Sequence, residues 1–307
     1  MVDIVIVNWN SGDYLQKCIS SIFCTDNKNF VSKIFVIDNN SKDSSVDKIM
    51  ANNQIEIIRN KENVGFSKAA NQGFKLSTAQ YVLLLNPDAE LLNSTLADCI
   101  NFMNYRQDVD ILGCRLLDDN GEVSPSCARF PTAGKLFIDC TGISKLFPSI
   151  FPPAILMTDW DHKDSRYVDQ VMGAFMFMRL SIFEKVGFFD EQFFVYCEEL
   201  DFSKRVSNLG GKSFFNTDIS ARHSGEGTTK RVKAFRLYLN IKSRLQYMKK
   251  HSTILGYYLV FFGTFCIEPF SRSVFLLSNG KTNEIRSVLK AYKMLLLNRK
   301  KHIFREF

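Results

Sequence analysis

Four short stretches carry side chains that could do chemistry. YVLLLNPDAE (Tyr81–Glu90) runs five apolar residues straight into Asn86 and Asp88. YCEELD (Tyr196–Asp201) crowds Glu198, Glu199 and Asp201 together. KIFVIDNNS (Lys33–Ser41) ends on Asp38 and Asn39, and ARHSGEG sets a lone His223 in a polar loop. Like charges as close as those of the EELD run raise one another's pKa, and a raised carboxylate is a better general base. A carboxylate at the end of a buried strand stands where open α/β sheets bind ligands. Each stretch also has a plainer reading. Asn-Pro-Asp and Asp-Asn-Asn-Ser are good turn chemistry. An acidic helix start is favoured by the helix dipole, and a lone histidine is more often structural than a ligand.

The elements that must position these groups alternate. DIVIVNW (Asp3–Trp9), KIFVIDN (Lys33–Asn39), IEIIRN (Ile55–Asn60) and YVLLLN (Tyr81–Asn86) are apolar runs of strand length. Between them, Leu15, Cys18, Ile19 and Ile22 recur at helical spacing behind Ser11, a natural N-cap, and Ser67–Ser77 reads as a second helix. Continuous apolar strands separated by helices predict a mostly parallel sheet covered on both faces. The strands end on Asn8 and Asn10, on Asp38 and Asn39, and on Asn86 and Asp88, along one edge of such a sheet. Polar side chains converging there are what a nucleotide crevice needs. No GxGxxG follows the first strand, which argues against a dinucleotide-binding oxidoreductase. Further on, LLDDNGEV (Leu116–Val123) reads as a hairpin with an Asn-Gly turn, and Val168–Arg179 as one apolar element. FPTAGKLF and LFPSIFPPAIL read as Pro-punctuated loops, and the helix after the EELD run is closed by Gly210-Gly211.

The chain has 307 residues, of which 46% are apolar, enough for a large core. The N-terminus has an acid at Asp3 and no basic leader, and reads as a first strand. Eight cysteines without a CxxC pair read as reduced thiols, with no structural zinc expected. The net charge of +7 hides an asymmetry: residues 1–229 hold 22 Lys+Arg against 29 Asp+Glu, and residues 230–307 hold 17 against 3. A basic tail on an acidic body calls for an anionic partner.

The order VNWN, VIDNNS, ENVGFSKAANQG, LLLNPDAE, VMGAFMFMR, GFFDEQFFVYCEELDFSKR and a late histidine resembles the glycosyltransferase family 2 enzymes. Within them it is most similar to bacterial rhamnosyltransferases of cell-surface polysaccharide synthesis. The resemblance covers roughly residues 1–250. It implies a GT-A fold, a Rossmann-like sheet flanked by helices, over residues 1–229, with a helical C-terminal region over 230–307. It also implies an inverting transfer from a nucleotide-sugar donor. On that likeness Asp38, Asn39, Asn8 and Asn10 face the nucleobase and ribose. Asn63, Gly65 and Asn71 approach the sugar or diphosphate, Gly173 and Ala174 make room beside the sugar, and Arg129 meets a phosphate. Asp88 would hold Mg²⁺ or Mn²⁺, with His223 completing the metal site or touching the diphosphate. One or two carboxylates suffice for such an ion when phosphates supply the rest. The family's commoner motif is Asp-x-Asp, and here Asn86 takes the first position. Glu199 matches the family's general base, more often Asp, with Glu198 and Asp201 in support. Arg222 and Lys230–Arg231 are further diphosphate candidates, and Trp9 and Trp160 are core residues or sugar platforms.

The likeness gives dTDP-rhamnose as the first donor to test, with UDP-galactofuranose or another UDP-sugar as the alternative. From a different class, a non-catalytic membrane-bound sugar-nucleotide binder shares most of these features. In the tail, Lys230–Lys250 is basic and amphipathic, and ILGYYLVFFGTFCI (Ile254–Ile267) is apolar until Glu268 and Pro269. That run is too short to cross a bilayer and suits an interfacial or re-entrant segment. Its aromatics lie in one apolar block rather than interleaved on a polar face, so an anionic membrane, not nucleic acid, is the expected partner. The expected enzyme is therefore cytoplasmic and peripheral on the inner face of the membrane, acting on a lipid-linked saccharide. The apolar tail could also pair two subunits.

Overall fold

The computed structural model describes residues 1–225 and 233–297. Twelve strands are described: β1 Val2–Asn8, β2 Val31–Asp38, β3 Ile55–Arg59, β4 Tyr81–Leu85, β5 Ala89–Leu91, β6 Ile111–Leu117, β7 Val123–Ser124, β8 Cys127–Ala128, β9 Arg166–Val168, β10 Gln170–Val171, β11 Phe175–Arg179 and β12 Ser213–His223. The helices are α1 Tyr14–Phe23, α2 Phe66–Leu76, α3 Thr95–Tyr105, α4 Ala133–Thr141, α5 Ile143–Leu146, α6 Ile182–Val186, α7 Glu198–Asn208, α8 Lys233–His251, α9 Ile254–Phe262, α10 Glu268–Ser278 and α11 Ile285–Leu297. The chain forms two compact units. The first takes residues 1–129, 160–194 and 198–225; the second takes residues 130–159, 195–197 and 233–297.

In the first unit a ten-stranded sheet runs β3-β2-β1-β4-β11-β6-β12-β5, with β7 beside β6 and β9 beside β12. The β3-β2-β1-β4 half is parallel. β11 enters antiparallel between β4 and β6, and β5 pairs antiparallel with β12. Every residue of β1 and β4 is buried, as a central strand covered on both faces requires. Helix α2 lies so close to β1 that a Cβ on Gly73 would stand 2.5 Å from Val5 Cγ1. The one charge inside β1, Asp3, is buried and satisfied by the backbone N–H groups of Lys33, Thr78 and Ala79.

Three local expectations change and one strand is new; FPTAGKLF is not a loop throughout, because α4 starts at Ala133 with the Thr132 hydroxyl accepting from the Lys135 N–H. Ser11 does not cap α1, which begins at Tyr14 with Asp13 before it; the Ser11 hydroxyl donates instead to Asn8 Oδ1. Val168–Arg179 is three short strands, because the chain turns at Met172–Ala174. The chain leaving Asp88 re-enters the sheet as β5, which its few residues did not signal. The Asn-Gly hairpin is present, with Leu117 opposite Val123 and Asp118 Oδ1 accepting from the N–H groups of Asn120 and Glu122.

The second unit corrects the reading of the apolar run. Glu268 and Pro269 do not end it. A π-helical turn at Gly263–Ile267 joins α9 to α10, so Ile254–Ser278 is one helical run, long and apolar enough to cross a membrane. Proline in mid-helix clashes with the carbonyl four residues back, and the wider π turn relieves that clash. Glu268 is buried by an ion triad with Arg244 of α8 and Arg272 of α10. Arg244 also donates to Thr264 Oγ1 at 3.0 Å. Burial works against ionisation of Glu268, but the two guanidinium groups outweigh it and hold the carboxyl well below the usual carboxylate range. A carboxyl depressed in the folded state contributes stability above its unfolded pKa, and loses it as the pH falls through the folded value.

Glu268→Gln leaves Arg244 buried and uncompensated. We expect it to cost about 3 kcal/mol or more in urea unfolding at neutral pH. Arg272→Ala, whose side chain is 30% exposed, should cost about 1 kcal/mol or less. Equal losses would mean that the triad is not the anchor of this helix.

Candidate active site

The carboxyl ends of β1 and β2 lie side by side, with Asn8 opposite Asp38. The buried Asn8 amide donates to Asp38 Oδ1 (3.0 Å), Ser41 Oγ (3.0 Å) and Ser45 Oγ (2.9 Å), so it ties the two strand ends together. Asn10 has a left-handed backbone (φ 51°) and accepts from the Lys42 N–H at 2.6 Å. Asn39 reaches the other way. Its Oδ1 accepts from the Val64 N–H, and its amide donates to Asn63 Oδ1 (2.8 Å) and to the Gly65 carbonyl (3.3 Å). Gly65 has φ +90°, and a Cβ there would stand 2.7 Å from the Phe194 carbonyl oxygen, so only glycine fits this turn into α2. Asn71 donates to the Phe189 carbonyl and accepts from the Phe189 N–H, which fastens the FDEQFF loop to α2. These amides organise the loops around the strand ends, and Asp38 is the carboxylate at their centre.

Asp88 and His223 meet across the β5–β12 ladder, where His223 stands opposite Ala89. His223 Nε2 is 3.3 Å from Asp88 Oδ1, and the Ser224 N–H donates to the Asp88 carbonyl. Among the described residues no three His, Cys, Asp or Glu side chains cluster as a metal cage. A carboxylate and an imidazole in contact nonetheless fit an ion that takes its remaining ligands from a diphosphate and water. The Asn86 turn is held by its N–H donating to the Ala174 carbonyl at 3.0 Å.

The next residue back from Ala174 is the one that seats Glu199. A Cβ on Gly173 would fall 2.5 Å from Glu199 Oε1, so the carboxylate packs directly over bare backbone. Desolvation pushes the Glu199 pKa up, against the opposing hydrogen bonds from its own N–H and that of Gly173. The neighbouring acids differ. Glu198 is buried, and Asp201 is fully buried and paired with Arg205 (2.9 Å) one helical turn on. Arg205 also donates to the carbonyls of Val186 and Phe188, so Asp201 anchors the loop ahead of α7. The Asp201/Arg205 pair is legible in ELDFSKR as an i, i+4 spacing of opposite charges.

Other candidates lie elsewhere. Trp160 stacks on His162 (4.1 Å) and beneath Arg166 (4.3 Å), with its indole N–H on Asp164, a packed cluster rather than an open platform. Trp9 is half-buried, just past the end of β1. Arg129 follows β8, and Arg222 is exposed on β12 opposite Glu90. Lys230 and Arg231 lie outside the described residues.

Comparison with solved structures shows that this architecture is a GT-A fold. The mannosyltransferase PcManGT of Pyrobaculum calidifontis, solved with GDP-Man and Mn²⁺, superposes with a TM-score of 0.58 at 12% identity, over 97% of this chain and 88% of that one. Residues 1–349 of TarS of S. aureus, solved with UDP-GlcNAc, superpose at 0.52 and 13% identity, over 95% and 91%. The chain belongs to glycosyl transferase family 2, whose sequence model matches residues 3–187. It acts by sugar-nucleotide-dependent glycosyl transfer. Rhamnosyltransferase WbbL of Escherichia coli K12 is 26% identical over 262 residues, 81% of this chain and 93% of its own. The N-acetylglucosaminyl-diphospho-decaprenol L-rhamnosyltransferase of Mycobacterium tuberculosis is 21% identical over 259 residues, 79% and 82%.

Gly173→Ala drives a methyl group into the Glu199 carboxylate. Turnover is expected to fall about 100-fold, the scale of a displaced base, with donor affinity kept within a few-fold. Steady-state kinetics beside donor titration would decide it; a loss confined to donor affinity would mean that Gly173 serves the sugar and not Glu199.

Proposed function

We propose that the chain transfers L-rhamnose from dTDP-rhamnose, with inversion, to a hydroxyl of a lipid-linked saccharide. The observation that carries the catalytic reading is Glu199, desolvated over Gly173. Its carboxylate takes the proton of the acceptor hydroxyl as that oxygen attacks the anomeric carbon and the nucleoside diphosphate leaves. Asp38, with Asn8, Asn10 and Asn39 around it, receives the nucleoside. Asn63 and Gly65 form the turn beside it, and Glu198, Asp201 and Asn71 position the base and its loop. Asp88 and His223 would hold Mg²⁺ or Mn²⁺, which when bound neutralises charge on the departing diphosphate.

The donor and acceptor rest on the two rhamnosyltransferase relatives, one of them named for a decaprenol-linked substrate. A lipid-linked acceptor suits a protein that works at a membrane surface. The basic C-terminal sequence and the apolar exposure of α9 and α10 support peripheral attachment on the cytoplasmic face. The first unit is assigned the chemistry and the second the attachment.

The test is a thermal-shift panel of dTDP, UDP and GDP, each with and without Mn²⁺ or Mg²⁺. A bound ligand raises the melting temperature with occupancy. A metal-dependent shift larger for dTDP than UDP is expected; a larger UDP shift would replace the donor, and no shift with any nucleotide would sink the reading. Glu199→Gln should keep the dTDP shift and lose about 100-fold or more in turnover. Because the base acts deprotonated and its pKa is raised, the acid limb of the rate profile should lie above the ordinary glutamate range. A limb within or below that range would remove Glu199 from the role.

A further inference from the structure

We infer that the second unit docks on an anionic phospholipid leaflet through one face built from two separate parts of the chain, with the Ile254–Ser278 helix lying along the surface rather than across it. This rests on the peripheral attachment proposed above and names the surface that makes it.

One side of the helix is committed to protein. Val260, Gly263, Thr264 and Glu268 are buried. A Cβ on Gly263 would stand 2.9 Å from the Phe137 ring and 3.2 Å from Cys140 Cβ, so α4 lies directly against it. The Glu268 triad ties the same side to α8. The opposite side is apolar and open. Leu255, Leu259, Phe262, Phe270, Val274 and Leu277 are exposed, Leu255 by 83% and Phe270 by 72%. Within each half they recur at three- and four-residue steps, with the exposed Cys266 between Phe262 and Phe270, over about 33 Å of helix. The only charged residues between Ile254 and Ser278 are Glu268 and Arg272, and both belong to the triad.

The second part is the loop that leaves α5. Leu146, Phe147, Ile150 and Phe151 are all exposed, Leu146 and Ile150 by 67% and 68%, and Pro148, Pro152 and Pro153 stiffen the segment. It begins beside α10: the Lys145 ammonium lies 4.4 Å from the Phe275 ring centroid, and Ser271 donates to the Cys140 carbonyl at 2.7 Å. Apolar exposure on this scale marks an interaction surface.

Charge selects the occupant. Exposed Lys249 and Lys250 stand just before α9, Lys281 just after α10, and Arg286, Lys290 and Lys293 on α11 are exposed as well. An apolar stripe with cations at both ends fits acyl chains beneath anionic headgroups. A helix fixed along one side by a buried ion triad cannot stand upright in hydrocarbon without exposing that triad to lipid.

The test is flotation of the full-length protein with vesicles of phosphatidylcholine alone and of phosphatidylcholine mixed with phosphatidylglycerol. Wild type should float with the mixed vesicles, release with rising salt, and float poorly with phosphatidylcholine alone. The pairs Phe147→Asp with Ile150→Asp, and Leu255→Asp with Phe270→Asp, should each weaken partitioning about tenfold or more. Tyr105→Asp, 86% exposed in the first unit, is the control and should float as wild type. A thermal melt of each variant checks that it folds. Wild type that floats with neither vesicle would overturn the peripheral reading and this face together. Wild type that floats while both pairs float equally well would overturn the face alone. Retention after an alkaline wash would make the helix a span. A dimer that the same pairs dissolve, without vesicle uptake, would make the occupant a second copy. None of these outcomes bears on glycosyl transfer, which the nucleotide panel judges separately.

Discussion

The site depends on one close contact, the Glu199 carboxylate lying over the bare backbone at Gly173. Water is excluded on the side where a Cβ would otherwise stand, and that desolvation raises the Glu199 pKa. The same turn leads into β11, whose antiparallel place beside β4 brings it to the Asn86 turn. A single bend thus serves two strand ends and one helix start. Any side chain larger than hydrogen there has to move the base or the turn.

Around it, asparagines do the work of a frame. Asn8 joins β1 to the loop after β2, Asn39 joins that loop to the turn before α2, and Asn71 joins α2 to the loop before α7. A primary amide offers donors and an acceptor on one short arm, so it can bridge backbone of two segments at once. Buried amides must be satisfied, and here protein satisfies them. This leaves Asp38, Asp88, His223 and Glu199 as the groups to which the proposed function gives the chemistry, with the amides setting where they stand.

In the second unit the organising feature is again a buried charge. Glu268 is ionised among apolar helices because two arginines reach it. That cluster fixes which side of the long helix faces protein, and so which side is left bare. Segment 130–159 belongs to this unit although far away in sequence, so its Pro-punctuated apolar loop and the C-terminal helices are parts of one unit.

Much of this was legible without coordinates. Unbroken apolar runs in β1, β2 and β4 can be stable only between two covering layers, so the parallel core and its polar edge follow from residue type alone. The acids of EELD stand out by their crowding and Asp88 by its place at a strand end, and the roles proposed for them rest on those features and on the family resemblance. The resemblance singles out Glu199, but residue type alone gives no physical difference between these acids. Asp201 and Glu199 are alike in sequence, and they differ because Arg205 reaches one while Gly173 makes room for the other. Nor could the apolar run show that Pro269 continues a helix, since a π turn and an ion partner on α8 decide that. Pattern and propensity are local and act through neighbours in the chain. Desolvation, ion pairing and the space for a missing Cβ are set by residues that meet only after folding.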